Sequence, residues 1–430
     1  MESQPHARAE NGLNEWREGA GLVAAAFFGV GVAALELGAI GVLMKPMIAT
    51  YGWTRSQISV ASLLLSVGTL IMAPLLGSVV DRWGARRVVL AAIPLFALSI
   101  ATLGLAGSNL TLFYVLFAIT ALIGPAVGPM TWSLGVASRF FRHRGLALGV
   151  AMAGISAIGT VTPLVVTVAH ERLGLRLLWV GLGGYAFLVA FPLAWLFFYD
   201  ARDLRARALA TGGSPAALAP AAAAEEVGIG FGEALRGSRF WRLAISFIVA
   251  AGVCGMFSVH FVAMLTDRGM SARQAAIVLG AMGPGTVAGR ILGGLLLDRV
   301  FAPLVAAATL VLPLLACLLM LSPGASLTFG VAVALMVGFA LGTEGDTLAF
   351  LASRYFGLRH YGKIFGMLLG LYGLGYGGGG FLAGALFDAT GEYRASFLLF
   401  VAALLAAIAL LVTLGRYPAF AAPVSKDLPA

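Results

Sequence analysis

The chain has 430 residues, of which 60% are hydrophobic and 11% are charged, and its mean hydropathy is +0.96. A soluble domain usually carries about a quarter of its residues as Asp, Glu, Lys and Arg, so this composition excludes a water-soluble globule. Long apolar runs such as Val88 to Leu105 also exclude a porin-like barrel, whose strands alternate apolar and polar residues. The composition therefore predicts an all-α integral membrane protein.

The formal charge of +9 would suggest nucleic acid as a partner for a soluble protein. Here, however, the basic residues form short clusters between apolar runs, which predicts a lipid bilayer and no nucleic acid. The two cysteines, Cys254 and Cys317, both lie inside apolar runs and far from any metal-ligand spacing. No disulfide, metal or cofactor is expected. The segment before the first span has no separate apolar region, so a cleavable signal peptide is not expected.

Apolar runs between charged or Gly/Pro breaks predict twelve membrane-spanning helices in two bundles of six. Their approximate ranges are 20–47, 56–80, 88–107, 109–137, 145–170, 176–199, 240–267, 272–297, 303–322, 326–352, 363–387 and 394–414. The expected segments are an N-terminal tail over 1–19, a first bundle over 20–199, a linker over 200–239, a second bundle over 240–414 and a C-terminal tail over 415–430. The linker is rich in Ala, Gly, Pro and Arg, which is typical of a flexible connection that ends in an amphipathic surface helix.

An even number of spans puts both termini on one side of the membrane. The segments on that side hold 20 of the 28 Lys and Arg residues, and those on the other side hold seven. Because basic residues concentrate in cytoplasmic loops, this distribution predicts cytoplasmic termini and a cytoplasmic linker. We expect a multi-pass protein of the cell membrane, in bacteria the inner membrane.

The chain repeats itself across the linker. Ala137-Ser-Arg-Phe-Phe141 recurs as Ala352-Ser-Arg-Tyr-Phe356, 215 residues later, and Asp81-Arg82 after the second span has a counterpart in Asp298-Arg299 after the eighth. Two halves in parallel repeat are the architecture of a transporter whose binding site lies between the halves near the membrane midplane.

Between spans two and three, Gly77-Ser-Val-Val-Asp81-Arg82-Trp-Gly84-Ala-Arg86-Arg87 resembles the loop motif of the major facilitator superfamily, G-x-x-x-D-R-x-G-x-R-[KR]. A weaker copy, Gly294-Leu-Leu-Leu-Asp298-Arg299, stands at the corresponding place in the second half, and the resemblance extends from Gly19 to about Arg416. It implies the twelve-helix fold of that superfamily. The residues expected to form a cytoplasmic latch between helices, which governs the exchange between conformations, are Gly77, Asp81, Arg82, Gly84, Arg86, Arg87, Asp298 and Arg299.

Three further stretches are similar to the monocarboxylate and oxalate/formate porters: 51–59, 139–149 and 354–366. These porters tend to have a histidine in span seven and an arginine in span eight, matched here by His260 and Arg290. The resemblance implies that Arg290 contacts the substrate carboxylate and that His260 takes part in binding or gating. The sequence departs from the family at two positions. Oxalate exchangers of this branch are expected to have a Lys within span eleven, whereas here Lys363 stands at its mouth, which argues against a dicarboxylate substrate. Animal monocarboxylate carriers pair the span-eight Arg with an Asp one turn earlier, whereas position 286 is Thr, which argues against the animal-type mechanism.

Charged side chains at membrane depth are costly and usually face a cavity or a partner. With a rise of about 1.5 Å per residue, Arg290 and Glu344 lie at a similar depth on the cytoplasmic side of their span centres and are expected to be able to pair. His260 should lie about 9 Å toward the outside, which favours an outer gate or a proton relay. For Arg290 the alternative to carboxylate binding is a permanent pair with Glu344.

The candidates for proton coupling are Glu36, His260, Glu344 and Asp346, and for each the alternative is a structural contact between helices. Glu344 and Asp346 are two positions apart on a helix and cannot share a face. Tyr372, Tyr376 and Trp132 are candidates for lining the cavity and contacting substrate, with helix packing as the alternative.

These observations predict a secondary transporter of small organic anions, in the first instance a monocarboxylate, that works as a monomer by alternating access with proton symport or anion exchange. The alternative is an exporter of drug-like or aromatic compounds on the same fold. The sequence contains no HExxH and no GxxxxGK[ST] motif, so an enzyme or a primary pump is not expected.

Overall fold

The computed structural model describes residues 4–140, 144–200, 203, 228–297, 299–324, 326–357 and 359–418. Within these ranges the side chains at positions 4–14, 37, 73, 74, 77, 78, 81, 137, 144, 145, 361 and 362 are outside the description. The described chain is almost entirely helical, and its β structure is an isolated bridge between Gly228 and Gly357. This agrees with the all-α fold class.

The N-terminal half, residues 4–200, contains eight described helices. They are α1 (Gln4–Gly31), α2 (Leu35–Tyr51), α3 (Arg55–Trp83), α4 (Ala85–Thr102), α5 (Leu110–Ile123), α6 (Pro129–Arg139), α7 (Arg144–Tyr185) and α8 (Phe191–Phe197). Three of them continue into 3₁₀ turns, at Val32–Ala34, Leu103–Leu105 and Gly124–Val127, and a π-helical segment over Ala186–Ala190 joins α7 to α8.

The C-terminal half, residues 228–418, contains another eight described helices. They are α9 (Phe231–Arg236), α10 (Ser238–Asp267), α11 (Ala272–Gly280), α12 (Met282–Leu297), α13 (Ala302–Met320), α14 (Leu327–Phe356), α15 (Tyr361–Thr390) and α16 (Arg394–Val412). The sequence predicts an amphipathic helix at the end of the linker. The structure has one short helix there, α9, which Gly237 separates from α10. Most of the linker lies outside the described residues.

Local sequence signals fix several helix ends. The Thr54 hydroxyl accepts from the backbone N–H of Gln57 while the Gln57 side chain accepts from the Thr54 N–H, a capping box that starts α3. Ser271 and Gln274 form the same arrangement at the start of α11. At the far end of α2, Gly52 adopts a left-handed conformation with φ of 71°, which favours glycine because it has no Cβ.

Ten helical segments of the described chain are long and apolar enough to cross a membrane. One of them runs over 52 residues from Leu146 to Phe197 and is broken at Gly174, where φ is 72°. The 30-residue helix α15 is not among the ten, because its many glycines dilute its apolar content. These helices are those of a multi-pass membrane protein by length and composition, and the count of twelve spans stays a prediction.

Glycines in α15 let this helix touch its neighbours backbone to backbone. A Cβ on Gly379 would lie 2.0 Å from the carbonyl oxygen of Gly252 in α10, and a Cβ on Gly255 would lie 1.8 Å from the carbonyl oxygen of Tyr376. Only glycine fits at such distances, so the glycine series serves close helix packing.

The two halves meet mainly along four helix pairs: α3 with α15, α2 with α10, α7 with α11, and α7 with α12. A Cβ on Gly377 of α15 would lie 2.5 Å from the carbonyl oxygen of Ser62 in α3. On the other flank, a Cβ on Gly283 of α12 would lie 1.8 Å from Oγ1 of Thr160 in α7. These contacts define the cleft between the halves.

Candidate functional site

An arginine at the start of α3 joins the two halves on the side opposite the chain termini. Arg55 is 7% exposed and donates from Nη2 to Oδ2 of Asp267 at 2.7 Å and from Nη1 to the Tyr393 hydroxyl. Its guanidinium also lies 3.6 Å from the ring centroid of Phe387. Lys45 of α2 approaches the other oxygen of Asp267 at 2.7 Å. Asp267 of the C-terminal half thus binds two cations of the N-terminal half.

His260 belongs to the same cluster and is completely buried. Its Nδ1 lies 2.9 Å from the Tyr393 hydroxyl, and its Nε2 lies 2.8 Å from the Gly380 carbonyl oxygen and 3.0 Å from Oγ of Ser59. Because Arg55 donates to Tyr393, all contacts are satisfied by a neutral imidazole that accepts at Nδ1 from Tyr393 and donates from Nε2. His260 therefore lies on the side opposite the termini and away from Arg290, and its part in an outer gate stays a prediction.

A second carboxylate of the C-terminal half belongs to this cluster and caps a helix of the N-terminal half. The two oxygens of Asp388 accept from the backbone N–H groups of Arg55 at 3.1 Å and of Ser56 at 2.9 Å, at the N-terminus of α3. We call the cluster of Lys45, Arg55, Ser59, His260, Asp267, Asp388 and Tyr393 the opposite-side seal. Where both partners are described, the ion pairs between the halves lie on this side, including an exposed pair between Arg273 and Glu171, and one further hydrogen bond joins Ser62 Oγ to the Gly377 carbonyl oxygen near the middle of α15.

Arg290 lies on the termini side of the cleft. It stands two helical turns after Gly283 on α12 and therefore on the same face, the one that contacts α7 of the other half. The residue is exposed, and it forms no ion pair and no hydrogen bond with the described part of the chain. The guanidinium thus lies on the face of α12 that contacts the other half and has no partner among the described residues.

The two carboxylates of α14 have different surroundings. Glu344 is 2% exposed, and its Oε1 lies 3.3 Å from the Cys254 thiol while its Oε2 has no hydrogen-bond partner among described residues. The Tyr372 hydroxyl interacts with the same carboxylate. Asp346 is exposed and lies within electrostatic range of Arg290. The expected Arg290–Glu344 pair is therefore wrong, because α14 presents Asp346 to Arg290 and turns Glu344 toward α10 and α15.

Glu36 lies where two helices are interrupted. It follows the 3₁₀ turn Val32–Ala34 and faces the turn that begins at Gly124, where a Cβ would lie 3.8 Å from its Oε1. Glu36 is 6% exposed, and its Oε2 has no partner among the residues described. A buried carboxylate with an open acceptor stays a candidate for proton coupling.

The aromatic candidates differ in how deeply they are buried. Tyr372 and Tyr376 are half-buried, and Tyr376 donates to Oγ of Ser258 at 2.7 Å. Trp132 has 0% exposure, donates from Nε1 to the Val127 carbonyl oxygen at 2.9 Å and packs its ring against Phe198. We therefore correct the prediction that Trp132 contacts substrate: its ring fills the core between α6, α1 and the end of α8.

The loop motif organises the end of the N-terminal half. Gly84 adopts φ of 86° between α3 and α4, a conformation that favours glycine. Arg86 donates to the carbonyl oxygens of Phe198 at 2.5 Å and Trp195 at 2.7 Å, at the C-terminus of α8. The described contacts of Arg86 are thus helix-end contacts within one half. Arg82, Arg87 and Arg299 are exposed. Gly77, Asp81 and Asp298 are not among the described side chains, so their expected roles stay predictions.

Sequence reasoning missed most of the opposite-side seal. Lys45, Arg55, Asp267 and Asp388 stand at span ends, where a charged residue is ordinarily a solvated loop residue. The available signal was that acidic and basic residues face each other on a side otherwise poor in charge. No group of three or more His, Cys, Asp or Glu side chains in the described chain is arranged to hold a metal ion.

Residues 26–368 match the model of the Major Facilitator Superfamily, and the chain belongs to this superfamily of membrane transporters. It is 28% identical to Monocarboxylate transporter 13 of Bos taurus over 419 residues, which cover 94% of this chain and 91% of the relative. It is also 28% identical to Probable anion transporter 2, chloroplastic, of Oryza sativa subsp. japonica over 160 residues, 36% of this chain and 28% of that protein.

Solved structures of transporters share the fold. The nucleoside transporter NupG superposes with a TM-score of 0.73 at 12% identity, covering 92% of this chain and 99% of that one. A bacterial homologue of the human lysosomal transporter Spinster, in an inward-facing and unoccupied conformation, superposes with a TM-score of 0.62 at 18% identity, covering 91% and 94%. The resemblance to the major facilitator superfamily that the loop motif indicated is confirmed, and the protein is a transporter of this superfamily.

Proposed function

We propose that this transporter moves small organic anions, in the first instance a monocarboxylate, by alternating access. One observation carries the proposal: Arg290 lies deep within a span, on the face of α12 that contacts the other half, and its donors have no partner among the described residues. A guanidinium can hold a carboxylate through two parallel charge-assisted hydrogen bonds. The similarity to a monocarboxylate transporter over 94% of the chain supports the same class of substrate.

The opposite-side seal supplies the second part of the proposal. Because Arg55, Asp267 and Asp388 join the halves on the side opposite the termini, we infer that in this conformation substrate reaches Arg290 from the termini side. Alternating access then requires this seal to break while a closure forms around the other end of the cleft. The distribution of basic residues supports a cytoplasmic location of the termini, which would make this conformation the one that exchanges substrate with the cytoplasm.

Coupling to protons or to a counter-anion belongs to the same proposal. Glu36 and Glu344 are buried carboxylates that each keep one oxygen without a described partner, and both lie beside the helices that form the cleft. Either group can carry a proton across without leaving a bare charge in the membrane. If neither titrates during transport, exchange of one anion for another is the mechanism that remains.

The test uses purified protein in liposomes and the uptake of radiolabelled lactate and pyruvate. Arg290→Lys keeps the charge but loses the planar pair of donors. Loss of one charge-assisted hydrogen bond costs about 1.5–3 kcal/mol, so we expect affinity to fall about ten- to hundredfold. Arg172→Lys, at an exposed arginine on the opposite side, is the matched control and should transport like the unmodified protein.

Two results would overturn the proposal. A folded Arg290→Gln variant that retains substantial carboxylate uptake would make Arg290 a structural residue. Uptake of lipophilic cations or aromatic compounds by the unmodified protein, without uptake of carboxylates, would establish the exporter alternative instead. Melting temperature and gel-filtration profile of each variant separate loss of binding from loss of folding.

A further inference from the structure

The register of two parallel helices brings Asp346 level with Arg290. A Cβ on Gly338 of α14 would lie 2.2 Å from the Met282 carbonyl oxygen of α12, and one turn later a Cβ on Gly342 would lie 2.1 Å from the Thr286 carbonyl oxygen. One further turn on both helices leads to Asp346 and Arg290. Because these glycines pack backbone to backbone, the register leaves little freedom to slip.

The two side chains are near each other without being locked together. Arg290 acts electrostatically on the Asp346 carboxylate, yet no ion pair joins them, and both are exposed at the cleft. Arg290 thus keeps donors for an incoming anion while a fixed negative charge stands beside it.

We propose that Asp346 is the residue that sets charge selectivity, so that the site at Arg290 accepts one carboxylate and rejects dicarboxylates of similar size. This inference rests on the proposed function. A monocarboxylate bound to Arg290 adds one negative charge next to Asp346. A dicarboxylate adds a second one, which meets Asp346 in a partly desolvated cleft where like charges repel more strongly than in water.

The sequence offers no second cation to offset that charge. Arg290 lies deep within its span, and in α15 the nearest basic residue, Lys363, stands at the first turn of the helix. Glu344, two residues before Asp346, is buried against Cys254 and does not add its charge to the cleft. Selection against a second carboxylate therefore depends on Asp346.

The experiment measures binding by thermal stabilisation of the purified full chain, with propionate and pyruvate as monocarboxylates and malonate and oxalate as dicarboxylates. For the unmodified protein we expect at least about tenfold tighter binding of the monocarboxylates. Asp346→Asn should bring the ratio of the two affinities close to one, mainly by improving dicarboxylate binding. Asp346→Glu, which restores the charge, should restore the ratio.

Two controls separate selectivity from general damage. Glu392→Gln removes a carboxylate from an exposed loop on the opposite side and should leave the affinity ratio unchanged. Glu344→Gln removes the buried carboxylate of the same helix and should also keep the ratio, whatever its effect on transport rate. A folded Asp346→Asn variant that still discriminates tenfold would refute the role of Asp346. Failure of the unmodified protein to bind any carboxylate would instead refute the proposed function, and the inference with it.

Discussion

Asp267→Asn tests whether the opposite-side seal holds the two halves in the observed conformation. Asp267 is the centre of this seal, since its two oxygens bind Lys45 and Arg55 at 2.7 Å each. Asparagine has nearly the same shape but carries no charge and offers only one acceptor oxygen. In the alternative conformation of the proposed cycle, open on the opposite side, the halves would separate here and water would solvate the same groups, so the substitution should act mainly on the observed state.

The exposed fractions of the side chains set the magnitude. The Lys45 side chain is 37% exposed and that of Asp267 33%, so their pair contributes at most about 1 kcal/mol. The Arg55 side chain is 9% exposed, and a charge-assisted hydrogen bond from such a group contributes about 1.5–3 kcal/mol. Since Asn retains one acceptor, we expect a net loss of about 2 kcal/mol, equivalent to about a thirtyfold shift in the equilibrium toward the other conformation.

The assay is a distance measurement by double electron–electron resonance between spin labels at Ser108 and Ala389, which are exposed on the opposite side of the two halves. Cys254 and Cys317 are buried and should not compete for the label. We expect a longer distance to gain population in Asp267→Asn. Glu171→Gln removes the other ion pair between the halves, whose side chains are 64% and 41% exposed, and should change little. An unchanged distance distribution in Asp267→Asn would refute the gating role of the seal.

Two further predictions concern packing and coupling. Gly255→Ala should lower the stability of the protein by about 1–3 kcal/mol, because its Cβ would lie 1.8 Å from the Tyr376 carbonyl oxygen. Gly366→Ala, where a Cβ would have nothing within 4 Å, should not lower it, and the melting temperatures of the two variants in detergent test this difference. Uptake should accelerate as the side opposite the termini is acidified between about pH 8 and pH 5, and Glu344→Gln should weaken this dependence more than Asp346→Asn, since Glu344 is the buried carboxylate. Uptake that is indifferent to pH would favour anion exchange.

The sequence by itself determined the class of protein and much of the chain's organisation. Low charge and long apolar runs require helices in a bilayer, because a backbone in hydrocarbon must satisfy its own hydrogen bonds. The motif around Gly84 identified the superfamily, and Gly84 occupies the left-handed turn between α3 and α4. Helix-end contacts such as the Thr54–Gln57 capping box depend only on residues three positions apart in the sequence.

Tertiary structure alone decided which charged residues meet. Glu344 and Asp346 are two residues apart and differ by only about 3 Å in depth, so depth could not show which of them faces Arg290. The packing of Gly338 and Gly342 against α12 fixed that rotation. Likewise, Arg55 and Asp267 are 212 positions apart, and neither can be recognised as part of a site until α3 and α10 are placed side by side. A charge pattern gives each residue's position along its helix, but the partner depends on how helices from distant parts of the chain pack together.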